Sequence, residues 1–139
     1  MPARAFIAIA AAAASLSAAT FADAQSLKSL RVREAEEGAL AREVAYTNSV
    51  CGSTMSSSID WRTANWPEGE SIVAACDGAL GALEAQCRSG AKKNAALLTS
   101  FTCAGDSAGP SLSGGDFRYG ATPGESGFSE TQAFLAGAL

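Results

Sequence analysis

Four cysteines, Cys51, Cys76, Cys87 and Cys103, stand in a chain of 139 residues that contains no histidine. An even number of cysteines in a small exported chain reads as two disulfides, because export delivers thiols to an oxidising compartment. The beginning of the sequence supplies the export signal. Met1 to Arg4 is a short basic stretch, Ala5 to Ala19 is an apolar run made mostly of alanine, and Ala22-Asp23-Ala24 is a small-x-small cleavage site. The expectation is a signal peptide over 1–24, a mature chain from Gln25, and a periplasmic or secreted location in a bacterium. The apolar run is shorter than the roughly 20 residues a membrane-spanning helix needs, so no span is expected. A zinc site is the weaker reading of the cysteines. It would need an all-thiolate set drawn from isolated positions with no C-x-x-C.

Helical geometry narrows the pairing. Residues 70–88, ESIVAACDGALGALEAQCR, gather Ile72, Val73, Cys76, Ala79, Leu80, Leu83 and Cys87 on one stripe at 100° per residue, with Glu70, Asp77, Gly81, Glu84 and Arg88 opposite. Cys76 and Cys87 then lie about 16 Å apart along one axis at about 1.5 Å per residue. A disulfide bridges Cα atoms no more than about 7 Å apart, so these two cannot pair. Each must reach Cys51 or Cys103. Beyond Gly90 the segment AALLTSFTC turns back along the helix, its alternation placing Leu97, Thr99, Phe101 and Cys103 on one face. Cys103 thereby returns to the level of Cys76, which favours Cys76 with Cys103 and Cys51 with Cys87.

The remaining elements follow from local signals. Residues 25–50 read as a helical arm with Val32, Ala35, Ala39, Tyr46 and Val50 on a stripe, interrupted by Glu36, Glu43 and Gly38. SSSIDW alternates Ile59 and Trp61 against Ser58 and Asp60, which suits a short strand, and Asn65 with Glu68 is spaced to cap the central helix. Strand, helix and strand make a right-handed crossover, so the strands near 59–61 and 97–103 are expected to be parallel neighbours. Downstream, a turn at Asp106–Gly109, a strand at Pro110–Ser113, a Gly114-Gly115 hairpin and the alternating Phe117 and Tyr119 read as a short antiparallel β-meander. Ser129 and Gln132 are spaced as a capping box for a C-terminal helix. The expected architecture is α+β, a single small domain over 25–139 with a helical arm at 25–50 and a disulfide-stapled core at 51–139.

GDSAGP at 105–110 differs by one residue from the GDSGGP around the nucleophile of trypsin-like serine proteases, and it also fits the G-x-S-x-G nucleophile elbow. Both families activate serine with histidine, which this chain lacks. Lys92 and Lys93 read as solvated turn lysines, so Ser107 is taken as part of a turn rather than a nucleophile. The net charge of −4 argues against nucleic-acid binding, which needs a basic stripe. No phosphate loop, EF-hand or HExxH pattern is present, and no catalytic, cofactor or metal residue is assigned. Trp61 reads as core. Trp66, beside Pro67, with Asp60 and Arg62, is the candidate binding surface.

Taken together, C…SIDW…AACDGALGALEAQC…FTC…LSGGDF resembles a type of small exported, cysteine-bearing bacterial protein with no assigned activity. The resemblance covers most of residues 50–120 and transfers no site. The expected function is non-enzymatic binding in the cell envelope or medium, to a protein or an envelope glycan. The alternatives are a carboxylate-dependent enzyme on envelope polymers, using Asp60, Glu68 or Glu70, and a purely structural envelope component.

Overall fold

The computed structural model describes the backbone of residues 16–63 and 66–139, and within those ranges the side chains from residue 26 onward. Most of the expected leader, and Asn65, lie outside the described residues. The chain forms two units, Met1–Arg33 and Glu34–Leu139, and the second carries the sheet and both disulfides. Its elements are the latter part of α1 (Leu16–Cys51), β1 (Ser56–Asp60), α2 (Ile72–Gln86), a helical turn α3 (Lys92–Ala95), β2 (Ser100–Ala104), β3 (Gly109–Ser113), β4 (Asp116–Gly120) and α4 (Phe128–Ala138). The architecture is α+β, with helices packed on one four-stranded sheet.

Both disulfides join the expected partners. Cys51–Cys87 spans 5.3 Å between Cα atoms and Cys76–Cys103 spans 6.0 Å. The first ties the end of α1 to the end of α2, and the second ties the middle of α2 to β2. With sequence separations of 36 and 27 residues, each bridge contributes about 3–4 kcal/mol by restricting the unfolded chain.

Every member of the predicted α2 stripe is buried, from Ile72 through Cys87. Ala75 and Ala82, off that stripe, are buried as well, because α2 is covered on three sides. α1 lies alongside it in the same direction: Glu36 meets Val73, Thr47 meets Glu84, and Cys51 meets Cys87, at separations of 37, 37 and 36 residues. On the other flank, Gly78 and Gly81 admit α4. A side chain at Gly78 would collide with the Ser126 carbonyl, and the Phe128 ring packs over Gly81.

Caps and strand limits differ from the sequence expectation. α2 begins at Ile72, and its cap is Ser71, whose hydroxyl accepts from the Ala74 N–H at 3.1 Å. Glu36 of α1 completes that helix end, its carboxylate accepting from the Val73 N–H at 3.0 Å and the Ser71 hydroxyl at 2.9 Å. A carboxylate is favourable there because a helix N-terminus exposes unpaired N–H groups. The apparent blemish on the α1 stripe is thus a tertiary cap. α4 starts at Phe128 after Gly127 in a left-handed conformation, φ 69°, so Ser129 falls inside the helix and no side-chain capping bond forms at Gly127. β2 begins only at Ser100, because the helical turn before it carries through to a Leu98 N–H bond to Ala95. That turn reverses the phase, leaving Leu97 exposed and Leu98 buried. Trp61 leaves β1 for a 3-10 turn, Trp61–Thr63, and is half-buried rather than fully enclosed.

The sheet order is β1-β2-β4-β3. β1 and β2 are parallel, as the crossover requires, with Ile59 opposite Cys103. The Gly114-Gly115 hairpin pairs β3 and β4 antiparallel, but it docks through β4, which lies parallel to β2. A simple meander would place β3 in the centre. β3 contains Pro110, which has no N–H to give a second neighbour and so belongs at an edge. β4 offers Phe117 and Tyr119, both buried, and Phe117 meets Phe101 of β2 edge to face at 5.2 Å between ring centres. The inner sheet face therefore forms the core with Leu40, Val44, Ile72, Leu80, Leu83 and Leu135. α2, α4 and the Leu40–Val44 stretch of α1 use that face, and the opposite one is left to polar side chains.

Candidate functional site

Strand alternation dictates what the open face carries. With the inner positions taken by Ile59, Phe101, Cys103, Phe117 and Tyr119, the outer positions fall to Ser56, Ser58 and Asp60 on β1, Ser100 and Thr102 on β2, and Asp116 and Arg118 on β4. The register aligns them in rows: Ser56, Ser100 and Asp116 in one, Ser58, Thr102 and Arg118 in the next. Ser111 and Ser113 of β3 extend the rows to the far edge. At the C-terminal ends of the strands the outer face closes over, since Ala104 and Gly120 are buried beneath the 105–108 turn.

Between that turn and the end of β1 lies an open depression of about 540 Å³, lined by Ser58, Ile59, Asp60, Trp61, Arg62, Thr102, Asp116 and Arg118. Its side chains are already bonded to one another. Arg118 donates to Asp106 at 2.7 Å and lies 3.6 Å from Asp60. Asp60 also accepts from the Arg62 side chain at 3.0 Å and from the Arg62 backbone N–H at 3.2 Å. Asp116 accepts from Ser100 at 2.6 Å and Thr102 at 3.4 Å, and the Ser58 and Thr102 hydroxyls are 3.2 Å apart. Trp61 borders it at the 3-10 turn, with its indole turned to the helix side, where the N–H donates to Glu37 of α1 at 2.9 Å. The centre is consequently preorganised, while the Arg62 side chain at its rim is 92% exposed.

The electrostatics follow from these contacts. The Arg62 hydrogen bond holds the Asp60 carboxyl below the usual carboxylate range, and the Arg118 bond does the same for Asp106, in both cases against partial burial. The two guanidiniums are pushed up in turn. A general acid needs the opposite, a carboxyl raised toward neutrality. These carboxylates hold arginines and accept hydrogen bonds.

Of the residues singled out from sequence, Asp60 and Arg62 meet at the depression, and Trp66 does not line it. Trp66 packs half-buried against the core beside Gly105, with its indole nitrogen enclosed and unbonded. Glu68 and Glu70 are exposed on the loop before α2 and are not part of the lining. Ser107 has φ 57°, the one positive value on a non-glycine residue among those described. Its turn is held by an Ala108 N–H bond to Asp106 and a Ser107 N–H bond to Ala121. Lys92 lies against Gly52, before β1, at the opposite end of the parallel strands from Ser107, which follows β2. Lys92 is therefore not beside the serine. Arg118, Thr102 and Asp116 were not visible as site residues beforehand, because their meeting with Asp60 depends on β4 docking beside β2.

Among the described residues no cysteine is free and no helix is long and apolar enough to cross a membrane. No family model, curated protein or solved structure matches this chain. The functional reading therefore rests on the site itself.

Proposed function

We propose that this protein is an exported, disulfide-stabilised binding module of the bacterial cell envelope or medium, and that it binds envelope glycan at the open face of its sheet. The single observation that carries the reading is the clamped Arg118, fixed between Asp60 and Asp106 at the floor of an uncovered polar depression. Hydroxyl, carboxylate and guanidinium groups held at fixed spacing match the hydroxyls of a sugar. Two buried disulfides suit an oxidising location. The carboxylate-enzyme alternative has weaker support, since Asp60 is held as an anion and neither Glu68 nor Glu70 lines the depression.

Soluble peptidoglycan fragments titrated into labelled protein test this directly. The expected result is shift changes centred on Ser58, Thr102 and Arg118, with an affinity that falls about tenfold or more in Arg118→Ala, the usual effect of removing a charge-assisted contact. Binding that leaves those residues unmoved, or that survives Arg118→Ala unchanged, overturns it.

A further inference from the structure

We propose that the outer edge of β1 accepts an extended polypeptide segment of a partner protein as a further strand of the sheet. This edge adjoins the depression, whose lining includes Ile59, but it uses backbone groups and does not depend on the glycan reading.

The phase of the ladder decides which backbone groups are free. The Ser56 N–H bonds the Thr99 carbonyl at 3.0 Å, and in a parallel pair alternate residues turn their backbone toward the neighbour. Ser56, Ser58 and Asp60 therefore face β2. The N–H and C=O groups of Ser57 and Ile59 point outward, where no other described element pairs with β1. The opposite edge of the sheet is different. Ser113 and Asp116 close the two-residue hairpin, so Gly109, Ser111 and Ser113 bond β4, and the residues turned outward are Leu112 and Pro110. Proline there removes a donor and blunts the edge. One edge is closed chemically and the other is open.

The helix layer shapes the open edge. Helices packed side by side stand about 10 Å apart, so α4, α2 and α1 span about 20 Å between outer axes. Four strands at about 4.8 Å span only about 14 Å. α1 therefore overhangs β1. Its position is fixed by the Asn48 side chain donating to the Met55 carbonyl at 2.9 Å and by the Trp61 bond to Glu37. With Glu37 and Asn48 of α1 bonded to the two ends of β1, the flank beyond the strand carries Ala41 and Ala45 by helical phase, and Gly38, against which the Arg42 side chain lies. The small side chains of Ala41 and Ala45 leave room for one added strand beneath the helix.

The same overhang selects the occupant. If two copies paired β1 with β1, the dyad would lie about 2.4 Å outside each strand, and the two α1 axes would nearly coincide. A second copy is thus sterically rejected, whereas a single extended segment without a helix above it fits. Main-chain hydrogen bonds would supply the affinity, as in other strand-addition complexes.

The test selects dodecapeptides from a random display library on the purified, disulfide-bonded protein and maps them by amide exchange. In the free protein the Ser57 and Ile59 amides should exchange fast and those of Ser56 and Ser58 slowly. Selected peptides should protect Ser57 and Ile59 and bind at least about tenfold more weakly to Ser57→Pro, which removes an outward N–H without touching the β1–β2 ladder. Ala41→Trp, on the exposed helix flank, should weaken them equally and serves if Ser57→Pro misfolds. Protection elsewhere, indifference to both substitutions, failure to select any binder, or dimers formed through β1 each overturn the proposal. Loss of peptide binding in Arg118→Ala with Ser57→Pro unaffected would move the peptide to the depression and overturn it as well.

Discussion

Glu43 shows how a single side chain sets a pH dependence. It lies between α1 and α2, where burial first, then the charge and hydrogen bond of Asp77, then the charge of Glu84 push its carboxyl up, with Arg42 opposing. A carboxyl whose folded pKa is raised favours folding while it is protonated, and that contribution is lost as pH rises through the folded value. The α1–α2 contact is therefore strongest in mild acid. Glu43→Gln, which stays neutral and can still donate to Asp77, should stabilise the protein by about 0.5 kcal/mol at pH 7, a size limited by solvent screening. The gain should vanish near pH 4. Thermal melts of both proteins across that range check it, and a variant less stable at pH 7 would contradict it. From sequence, Glu36 and Glu43 looked alike, two acids breaking one apolar stripe. Glu36 caps the neighbouring helix and Glu43 faces other acids, a distinction that depends on which turn of α2 each one meets.

Among the elements, α2 was the most legible. Its stripe gave the buried face, and its rise of about 1.5 Å per residue excluded Cys76–Cys87; of the two pairings left, the return of the chain to Cys103 favoured the one observed. The parallel β1–β2 pair followed from the crossover. The place of β4 did not, although Pro110 was the available signal, since it bars β3 from the centre of the sheet. Because Arg118 joins Asp60 only through that docking, the site shared the same blind spot, and only its Asp60–Arg62 rim was foreseen. Gly78 was equally silent. Helix propensity alone predicts that Gly78→Ala stabilises by about 1 kcal/mol, but a Cβ there meets the Ser126 carbonyl at the start of α4. Gly78→Ala should destabilise by about 2 kcal/mol through overpacking. Gly81→Ala meets only the Phe128 ring at 3.7 Å and should be close to neutral or mildly stabilising. Denaturant midpoints of the two variants compare them, and equal effects would contradict the packing described.

Taken as a whole, the Glu34–Leu139 unit is a one-sided sandwich: α1, α2 and α4 pack on the inner sheet face, and the outer face keeps its rows of hydroxyls, its ion-paired arginine and its depression. What keeps it one-sided is covalent. Cys51–Cys87 holds α1 beside α2, and Cys76–Cys103 holds α2 against the middle of the sheet. For a unit of this size the two bridges supply a large share of a net stability of about 5–15 kcal/mol. If they were exchanged, α1 and α2 could not run side by side in one direction, and the open face, the overhang at β1 and the clamped arginine would all be lost. The decisive measurement is peptide mapping of native, unreduced protein by mass spectrometry. The expected peptides link Cys51 to Cys87 and Cys76 to Cys103, with no thiol open to alkylation; a Cys51–Cys103 or Cys51–Cys76 linkage, or free thiols in folded protein, would overturn this fold.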